Sequence, residues 1–475
     1  MRQSGPVSDS YDVLVIGGGP AGTAAALRAA ELGATVAVAE QSRTGGTCVN
    51  SGCVPTRVLA KTARLMREVR TADTYGITVS EQAVDWPATV ARVRATVERV
   101  QDAKAEPQKL AAAGVDLLIE GRARFTGPHE VELAATGRRV RAESVILCVG
   151  GHSRRLPVPG AELATLPEQV LDLPAVPRRL AVVGAGNTGA QLVTVFAALG
   201  AEVTLLEVAP RILAHTDAAV SDAVAEAFVE QGVRVETSLD GVVSLVRSDD
   251  GIELTWRRDG EERRATYDAV ITATGWPASI DDLDLAAAGV TATRTGIPVD
   301  EHLRTDVPHI YAAGDVNQQA MLVQAAHSEA EAAARNAVLG ASTRAPHHLL
   351  PAGGFTDPDY AGVGLTEQQA RDRGIAYGVA RVEYASMERP VIDDRTRGFL
   401  KLITDSRREL ILGAHAVGEQ AIEVVSAVTA SMAAGVDVAT LARVEFAYPT
   451  YSAVIGVAAR RLMTGSPSGY EHATR

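Results

Sequence analysis

Short apolar segments separated by glycine-rich turns organise the first part of the chain. Tyr11 to Ile16 is an apolar run of strand length, a glycine turn follows from Gly17 to Gly22, and the alanine-rich segment Thr23 to Leu32 is typical of a helix. A second apolar run, Thr35 to Ala39, ends at Glu40. This order of strand, turn, helix and strand predicts the start of a parallel α/β sheet.

The glycines of this turn have the spacing that allows a backbone to approach a dinucleotide. Gly17 permits a tight turn, Gly19 lets the main chain approach a pyrophosphate, and Gly22 lets the helix pack on the strand. Glu40 follows about 20 residues later, where a carboxylate can accept hydrogen bonds from an adenosine ribose. The sequence therefore predicts a nucleotide-binding fold here.

The same pattern recurs in the middle of the chain. The apolar run Leu180 to Val183 precedes Gly184, Gly186 and Gly189, and the next predicted strand ends at Glu207. Two such folds imply two dinucleotide cofactors. A carboxylate at Glu207 suits the 2′-hydroxyl of NADH and repels the 2′-phosphate of NADPH, so we expect NADH rather than NADPH. A solvated charge at the end of a strand is the alternative role for Glu207.

Helices and alternating strands separate the two folds. A long helical segment, Thr89 to Ala113, is interrupted at Pro107, and strands follow from Val115 to Leu147. After the second fold, an apolar run leads to Asp315, which we expect at the start of a helix.

A pair of cysteines lies between the first two predicted folds. Cys48 and Cys53 follow a glycine pair and precede an apolar helical segment, Val58 to Val69. We expect both sulfurs at the first turn of that helix, where the helix dipole and free backbone N–H groups favour a thiolate. Two buried hydrophobic side chains are the simpler interpretation, but the nucleotide fold directly upstream favours a redox pair. Cys148 falls in an apolar strand and is expected to belong to the core.

Composition and charge narrow the class of protein. The 475 residues are 46% hydrophobic, which suggests about three domains with ample core. The net charge of -12 disfavours nucleic acid and anionic membranes as partners. No apolar run approaches the roughly 20 residues of a membrane-spanning helix, and the polar segment Met1 to Ser10 lacks the features of a secretory signal. Three cysteines, two of them close together, are typical of a cytoplasmic protein with a redox pair.

The sequence indicates neither a metal site nor histidine chemistry. No set of residues has the spacing of a structural zinc site, so no metal ligands are expected. His327 lies in a helix-like context and His415 in a turn-like context, and we expect both side chains to be structural.

Together these motifs resemble the flavoprotein disulfide reductases, the family of dihydrolipoamide dehydrogenase, glutathione reductase and mercuric reductase. The resemblance extends from Tyr11 to about Leu462, and it is carried by the cysteine segment Gly45 to Arg57, the turn Ala273 to Gly275 and the segment Ala313 to Asp315. Phe355 to Pro358 stands where the family begins its dimer interface domain. The resemblance implies FAD at the first fold, NAD(P)H at the second, and a homodimer, the commonest symmetric assembly.

The implied fold class is α/β, with two Rossmann-like dinucleotide-binding domains, for FAD and NAD, and a C-terminal α+β dimerisation domain. The expected FAD-binding domain with the cysteine pair is 1–152, and the NAD(P)H-binding domain is 153–275. Residues 276–345 are expected to complete the FAD domain, and 346–475 to form the interface domain.

By the same resemblance, electrons pass from NADH through FAD to a Cys48–Cys53 disulfide and then to a disulfide or another electrophilic acceptor. Cys53 would lie beside the flavin, and Cys48 would be the outer thiol that attacks the acceptor. The Asp315 carboxylate would hold a ribityl hydroxyl. The residues expected to bind the two cofactors are Gly17, Gly19, Gly22, Glu40, Gly46, Thr47, Arg57, Ala123, Asp315, Gly184, Gly186, Gly189, Gln191, Glu207 and Gly275.

The chain departs from the family pattern near its C-terminal end. The family has a His-Pro motif there, with a Glu five residues after the His, which supplies the acid for the leaving thiolate in the active site of the partner subunit. Tyr448 replaces the His and Ala453 replaces the Glu. Tyrosine side chains titrate at about pH 10, so Tyr448, which we keep as a catalytic candidate, is a poorer proton shuttle than histidine. Ordinary turnover of glutathione or lipoamide is therefore in doubt.

Further departures concern the two cofactor domains. Arg57 replaces the Lys that follows the family's cysteine motif, and Gln191 replaces its Glu partner. Arginine keeps the positive charge, while the proton chemistry of the pair is lost. Asn187 replaces an aromatic gate, which implies altered access for the nicotinamide. Neutral drift would explain these changes equally well.

Three alternative functions remain open. Tyr448-Pro449-Thr450 resembles the end of the soluble pyridine nucleotide transhydrogenases, so transhydrogenation or quinone reduction directly from the flavin is one. A flavin-bearing subunit of a larger complex, or a redox-sensing module, is another. Mercuric reduction is less favoured, because mercuric reductases bind metal through a C-terminal cysteine pair and residues 466–475 contain no cysteine.

Overall fold

The computed structural model describes residues 9–80, 83–345, 347 and 349–464. The C-terminal segment 466–475 and most of the polar segment Met1 to Ser10 therefore lie outside the described residues. The chain divides into two compact units. In its described part, the first unit comprises residues within 9–58, 90–154 and 275–347, and the second comprises residues within 59–89, 155–274 and 349–464.

The strands and helices follow one another along the whole described chain. The strands are β1 (Asp9–Ile16), β2 (Val36–Glu40), β3 (Asp116–Ile119), β4 (Ala123–Gly127), β5 (Glu130–Leu133), β6 (Arg138–Leu147), β7 (Arg179–Val183), β8 (Glu202–Leu206), β9 (Arg234–Glu236), β10 (Gly241–Ser248), β11 (Gly251–Arg258), β12 (Glu261–Tyr267), β13 (Ala269–Thr272), β14 (Ile310–Ala312), β15 (Ala352–Gly354), β16 (Tyr360–Gly364), β17 (Tyr377–Glu383), β18 (Phe399–Asp405) and β19 (Ile411–Val417). The helices are α1 (Pro20–Glu31), α2 (Gly46–Asn50), α3 (Cys53–Arg70), α4 (Trp86–Lys104), α5 (Glu106–Ala112), α6 (Asn187–Ala198), α7 (Ala218–Glu230), α8 (Leu285–Ala288), α9 (Val323–Leu339), α10 (Glu367–Asp372), α11 (Glu388–Ile392), α12 (Ala421–Ala433), α13 (Val438–Arg443) and α14 (Ala453–Thr464).

The first unit is built on a seven-stranded sheet with the order β3-β2-β1-β6-β5-β4, and β14 also pairs with β6. The strands β3, β2, β1, β6 and β14 are parallel, while β5 is antiparallel to β6 and β4. Both faces of β1 are buried: Leu14 and Ile16 contribute to one apolar cluster, and Val13 and Val15 contribute to another. A central parallel strand covered on both faces explains why the run from Val13 to Ile16 is uninterruptedly apolar.

The second unit contains three sheets. The parallel sheet β13-β7-β8-β9 repeats the arrangement of the first nucleotide fold, and β10-β11-β12 form an antiparallel sheet. The five-stranded antiparallel sheet β15-β16-β19-β18-β17 packs with α12 and α14 around an apolar cluster that includes Leu400, Val424 and Ile455. The predicted α/β fold class with two nucleotide folds and a C-terminal α+β domain is confirmed.

Three local predictions need correction. The interrupted helix is two helices, and the break lies at Ala105, whose φ of 48° is left-handed, while Pro107 lies in the first turn of α5, where its missing N–H costs little. Asp315 does not begin an α-helix: it begins a short 3₁₀ turn, Asp315–Asn317, and the next α-helix, α9, begins at Val323. His415 lies inside β19 rather than in a turn, and its Nε2 is 2.8 Å from the Leu365 carbonyl oxygen.

Candidate active site

The first glycine turn joins β1 to α1 without room for side chains. Gly17 has a φ of 104°, and a Cβ there would lie 2.4 Å from the Cys148 carbonyl oxygen. A Cβ on Gly22 would lie 1.7 Å from the Gly17 carbonyl oxygen. Gly19 is the N-cap of α1 and receives no side-chain cap. The free N–H groups of this helix start are therefore the kind of donors that bind a pyrophosphate.

The cysteine segment lies against this same turn. The Gly45 N–H donates to the Gly18 carbonyl oxygen at 2.8 Å. A Cβ on Gly46 would come within 2.9 Å of the Gly19 Cα. Two glycine-rich backbones therefore touch, and the cysteine pair begins directly beside the first dinucleotide turn.

Glu40 stabilises the first turn from the end of β2. Its side chain is buried, Oε2 accepts from the Gly18 N–H at 2.7 Å, and Oε1 accepts from the Ser42 N–H at 3.0 Å. The carboxylate is thus fixed at the carboxyl end of the sheet, next to the glycine turn. Its predicted contact with an adenosine ribose stays a prediction.

The two cysteines are on different helices, which corrects the expectation of one shared first turn. Cys53 is the first residue of α3, whereas Cys48 lies in α2. Both are thiols, and the Cys48 thiol donates a hydrogen bond to the Cys53 sulfur. Cys53 is exposed, and that hydrogen bond, together with the positive charge of Arg57, lowers its pKa to about 6. Cys53 is therefore the group that carries the thiolate.

Asp315 faces the cysteine region and is held by neighbours that the sequence did not reveal. The Trp276 indole N–H donates to Asp315 Oδ2 at 2.9 Å. The Gln318 side chain donates to the carbonyl oxygens of Asp315 and Trp276, at 2.6 Å and 3.2 Å. Burial raises the pKa of Asp315, and the Trp276 hydrogen bond opposes this rise. Trp276 follows the predicted glycine Gly275, and nothing in its residue type indicated this contact.

The remaining predicted FAD residues occupy diverse positions in the first unit. Thr47 is exposed on α2, next to Cys48. Ala123 begins β4 and is buried in the apolar cluster. Gly275 is exposed, with a Cβ position 3.6 Å from Arg154 Nε. Contact of these residues with FAD stays a prediction.

The second glycine turn repeats the geometry of the first within the second unit. A Cβ on Gly184 would lie 2.4 Å from the Ala273 carbonyl oxygen, and one on Gly189 would lie 1.8 Å from the Gly184 carbonyl oxygen. Gly186 is the N-cap of α6 and has open space around its Cβ position. This turn therefore also fits a dinucleotide pyrophosphate.

Glu207 is the counterpart of Glu40. Its Oε2 accepts from the Ala185 N–H at 2.6 Å, and its Oε1 accepts from the Ala209 N–H at 2.8 Å. A negative carboxylate is thus fixed beside the second glycine turn, which suits the predicted contact with a ribose hydroxyl.

Asn187 and Gln191 are neighbours on α6. Gln191 is buried, and its amide donates to the Asn187 carbonyl oxygen at 2.8 Å. The Asn187 side-chain oxygen accepts from the Tyr360 hydroxyl at 2.7 Å and lies 3.0 Å from His215 Nε2. The position where the family has an aromatic gate is thus part of a polar network in the second unit.

Tyr448 lies between α13 and α14, and 74% of its surface is exposed. Ala453 begins α14. In the described part of the chain, no group of three or more His, Cys, Asp or Glu side chains is placed to hold a metal ion. Among the same residues, no helix is both long and apolar enough to cross a membrane.

Comparison with known proteins establishes the class. Residues 11–330 match the pyridine nucleotide-disulphide oxidoreductase family, and residues 350–459 match the dimerisation domain of that family. The chain belongs to the pyridine nucleotide-disulphide oxidoreductases. It is an enzyme of an FAD-dependent family that uses a pyridine nucleotide, and its dimerisation domain supports a homodimer.

Individual relatives span almost the whole chain. A dihydrolipoyl dehydrogenase of Haloferax volcanii is 32% identical, covering 97% of this chain and 98% of the relative. A mercuric reductase of Bacillus cereus is also 32% identical, covering 91% of this chain and 68% of the relative. The structure resembles the HOCl-induced flavoprotein disulfide reductase RclA from Escherichia coli, with a TM-score of 0.83, 25% identity, and coverage of 95% and 99% of the two chains. The predicted resemblance is therefore confirmed.

Replacing Trp276 with phenylalanine should weaken FAD binding, most strongly at low pH. The indole N–H stabilises the charged Asp315 carboxylate, so its loss should raise the pKa of Asp315 further. We expect about tenfold weaker binding at pH 5.5 and a smaller effect at pH 8, since one lost hydrogen bond to a charged group is worth about 1.5 kcal/mol. Fluorescence titration of the apoprotein with FAD would measure this.

The matched control is Trp86→Phe. Trp86 is buried, whereas Trp276 is half-buried; the Trp86 indole N–H donates to the Leu173 carbonyl oxygen at 2.8 Å, so the same donor is lost elsewhere. Its FAD affinity should match that of the unmodified protein at both pH values. Equal FAD affinity of the Trp276→Phe protein would contradict the predicted contact of Asp315 with FAD.

Proposed function

We propose that this enzyme passes electrons from NADH through FAD to the Cys48–Cys53 disulfide, and from there to a disulfide or another electrophilic acceptor. The observation that supports this most directly is the position of the cysteine segment against the first glycine turn, where the Gly45 N–H donates to the Gly18 carbonyl oxygen at 2.8 Å. The Cys48 hydrogen bond lowers the pKa of Cys53 to about 6, so a thiolate persists at neutral pH.

The surroundings of the pair agree with that role. FAD, when bound, accepts a hydride from the nicotinamide and passes electrons on to the disulfide. Gly19 and Gly46 bring the main chains of the cofactor turn and the cysteine turn into contact, and Arg57 keeps a positive charge near Cys53. Reduction breaks the Cys48–Cys53 bond, and Cys48 then attacks the acceptor by thiol–disulfide exchange.

Anaerobic titration of the oxidised protein with NADH tests the proposal. We expect about two hydrides per flavin, since the flavin and the disulfide each take one, and a long-wavelength absorbance band from the thiolate beside the flavin. Because the pKa of Cys53 is lowered to about 6, its thiolate is stable above that pH and is protonated below it. The band should therefore weaken as the pH falls through about 6.

A different outcome would favour direct chemistry from the flavin. Uptake of about one hydride per flavin, without the thiolate–flavin absorbance band, would mean that the cysteines accept no electrons from the flavin. Transhydrogenation or quinone reduction would then become the better proposal. The replacement of the family's histidine by Tyr448 favours this second candidate, because that residue lacks histidine's acid–base range. A stable larger complex on native mass measurement would instead favour a flavin-bearing subunit.

We infer NADH as the preferred nucleotide, with kcat/KM for NADH at least about tenfold above that for NADPH. The fixed Glu207 carboxylate repels a 2′-phosphate, so Glu207→Gln should reduce the preference. Glu202→Gln removes an exposed carboxylate from the opposite end of β8 in the second unit and should leave the preference unchanged. A wild-type preference for NADPH would contradict the inference.

The proposal includes a homodimer located in the cytoplasm. Cytoplasmic reductants keep thiols reduced, so a cysteine pair there is available for redox turnover. Its domain limits are those predicted from the sequence: 1–152, 153–275, 276–345 and 346–475. Screening of acceptors should begin with small disulfides. Cu(II) should be included, since RclA has also been solved as a Cu(II) complex.

A further inference from the structure

The last turns of α4 lie against the helix that carries Cys48. The Gln101 amide donates to the Thr44 carbonyl oxygen at 2.9 Å and to the Asn50 side-chain oxygen at 2.8 Å. Asn50 in turn donates to the Gly46 carbonyl oxygen at 2.9 Å. Gln101 is almost fully buried, so it fixes the end of α4 against the segment that precedes α2 and against the last residue of α2.

One helical turn beyond Gln101, α4 ends in an ion pair. Lys104 is on the same face of the helix as Gln101, because residues three apart are neighbours on a helix surface. Its Nζ lies 3.1 Å from Oε1 of Glu106, the first residue of α5. Ala105, which has a left-handed backbone, separates the two helices.

Glu106 is an unusual partner for a surface lysine. Only 5% of its surface is exposed, and its Oε2 has no hydrogen-bond partner among the described residues. An unsatisfied oxygen on a buried carboxylate carries a desolvation cost.

The charges of this pair act on Cys48. The hydrogen bond to Cys53 and burial raise the pKa of Cys48, the Lys104 charge lowers it, and the Glu106 charge raises it. Cys53, Lys104 and Glu106 are the charged and titratable groups with the largest effects on the pKa of Cys48. Arg57 and Asp315 act instead on Cys53. The two thiols therefore have separate charged neighbours.

We propose that Lys104, held in place by Glu106, is the charge partner that controls ionisation of the outer thiol Cys48. Lys104 stabilises the thiolate that attacks the acceptor. Glu106 is a positioning residue that holds Lys104, and its negative charge partly offsets the positive charge of Lys104. The pair acts from the same chain as the thiol, whereas the family's histidine and glutamate positions are occupied by Tyr448 and Ala453. This inference rests on the proposed function, in which Cys48 is the attacking sulfur.

Alkylation of Cys48 in the NADH-reduced holoenzyme tests the inference. A short pulse of iodoacetamide between pH 6 and 9, followed by mass spectrometry of the Cys48 peptide, measures the thiolate fraction. At pH 7.5, Lys104→Met should slow alkylation of Cys48 by about fivefold and move the profile to higher pH, whereas Lys104→Arg should keep most of the rate. Glu106→Gln should speed alkylation by about two- to fivefold.

The expected changes in the alkylation rate have opposite directions in the two variants, and this distinguishes an effect of charge from damage to the fold. Loosening of the structure would speed alkylation in both variants, so only a change of charge predicts slowing in Lys104→Met and speeding in Glu106→Gln. Lys109→Met, which removes an exposed lysine from α5, is the control and should match the unmodified enzyme. Profiles of both test variants that coincide with the unmodified profile would overturn the inference.

The thiolate–flavin absorbance band distinguishes this inference from the proposed function. The band reports Cys53, so it should persist in Lys104→Met and Glu106→Gln. A normal band with unchanged Cys48 profiles would reject the role of Lys104 and leave the proposed function standing. Absence of the band in the unmodified enzyme would reject the proposed function itself.

Discussion

Replacing Cys48 with serine should lower NADH-dependent reduction of a disulfide acceptor by roughly a thousandfold, without loss of FAD. A serine hydroxyl is not ionised at neutral pH and cannot exchange with a disulfide, while its size preserves the turn around α2. Cys53 would keep its place at the start of α3. Steady-state kcat/KM with an aromatic disulfide, beside the flavin absorbance of the same samples, would measure the effect.

Two companion variants sharpen this result. Cys53→Ser should abolish the same activity and also remove the thiolate–flavin band, since Cys53 is the sulfur with the lowered pKa. Cys148→Ala should leave the activity nearly unchanged, because Cys148 is buried in an apolar cluster apart from the pair. If the Cys48→Ser enzyme kept more than about a third of its activity, electrons would be leaving directly from the flavin.

Sequence reasoning succeeded where a local rule decides the structure. Gly17 and Gly22 must be glycines, because a Cβ on Gly17 would meet the Cys148 carbonyl oxygen, directly after β6, and a Cβ on Gly22 would meet the Gly17 carbonyl oxygen. The same constraint operates at Gly184 and Gly189. Both folds could therefore be predicted from glycine spacing between apolar runs.

Sequence reasoning was less successful where the conformation of one or two backbone residues decides where a helix begins. Cys48 was expected on the same helical turn as Cys53, but Gly45 and Gly46 have left-handed φ values of 90° and 53° and start a separate helix, α2. Two consecutive left-handed glycines cannot be distinguished from flexible ones by residue type alone.

Contacts between distant segments were beyond the reach of sequence patterns. Trp276 and Asp315 are far apart in the chain and meet only because the first unit brings their loops together. The role of Glu106 depends on its burial, since an exposed glutamate at a helix start is ordinary. Neither the contact nor the burial leaves a periodic or spacing signal.

Replacing Gly22 with alanine should remove FAD from the protein. The added Cβ would lie 1.7 Å from the Gly17 carbonyl oxygen, and two backbone segments must separate to admit it. Moving α1 away from β1 costs about 4 kcal/mol or more and displaces the N–H groups that would hold the pyrophosphate. Flavin content per chain after purification would show the loss. Gly127→Ala, with open space and an ordinary φ, should retain full flavin.

Gly189→Ala makes the same change at the second turn, where the Cβ would lie 1.8 Å from the Gly184 carbonyl oxygen. If the two turns bind different nucleotides, this variant should keep FAD but bind NADH at least about tenfold more weakly, since the start of α6 is displaced. Reduction of the flavin by NADH should then fail at concentrations that saturate the unmodified enzyme, while dithionite still reduces it. Loss of FAD from Gly189→Ala, with FAD retained but NADH reduction lost in Gly22→Ala, would reverse the assignment of the two folds.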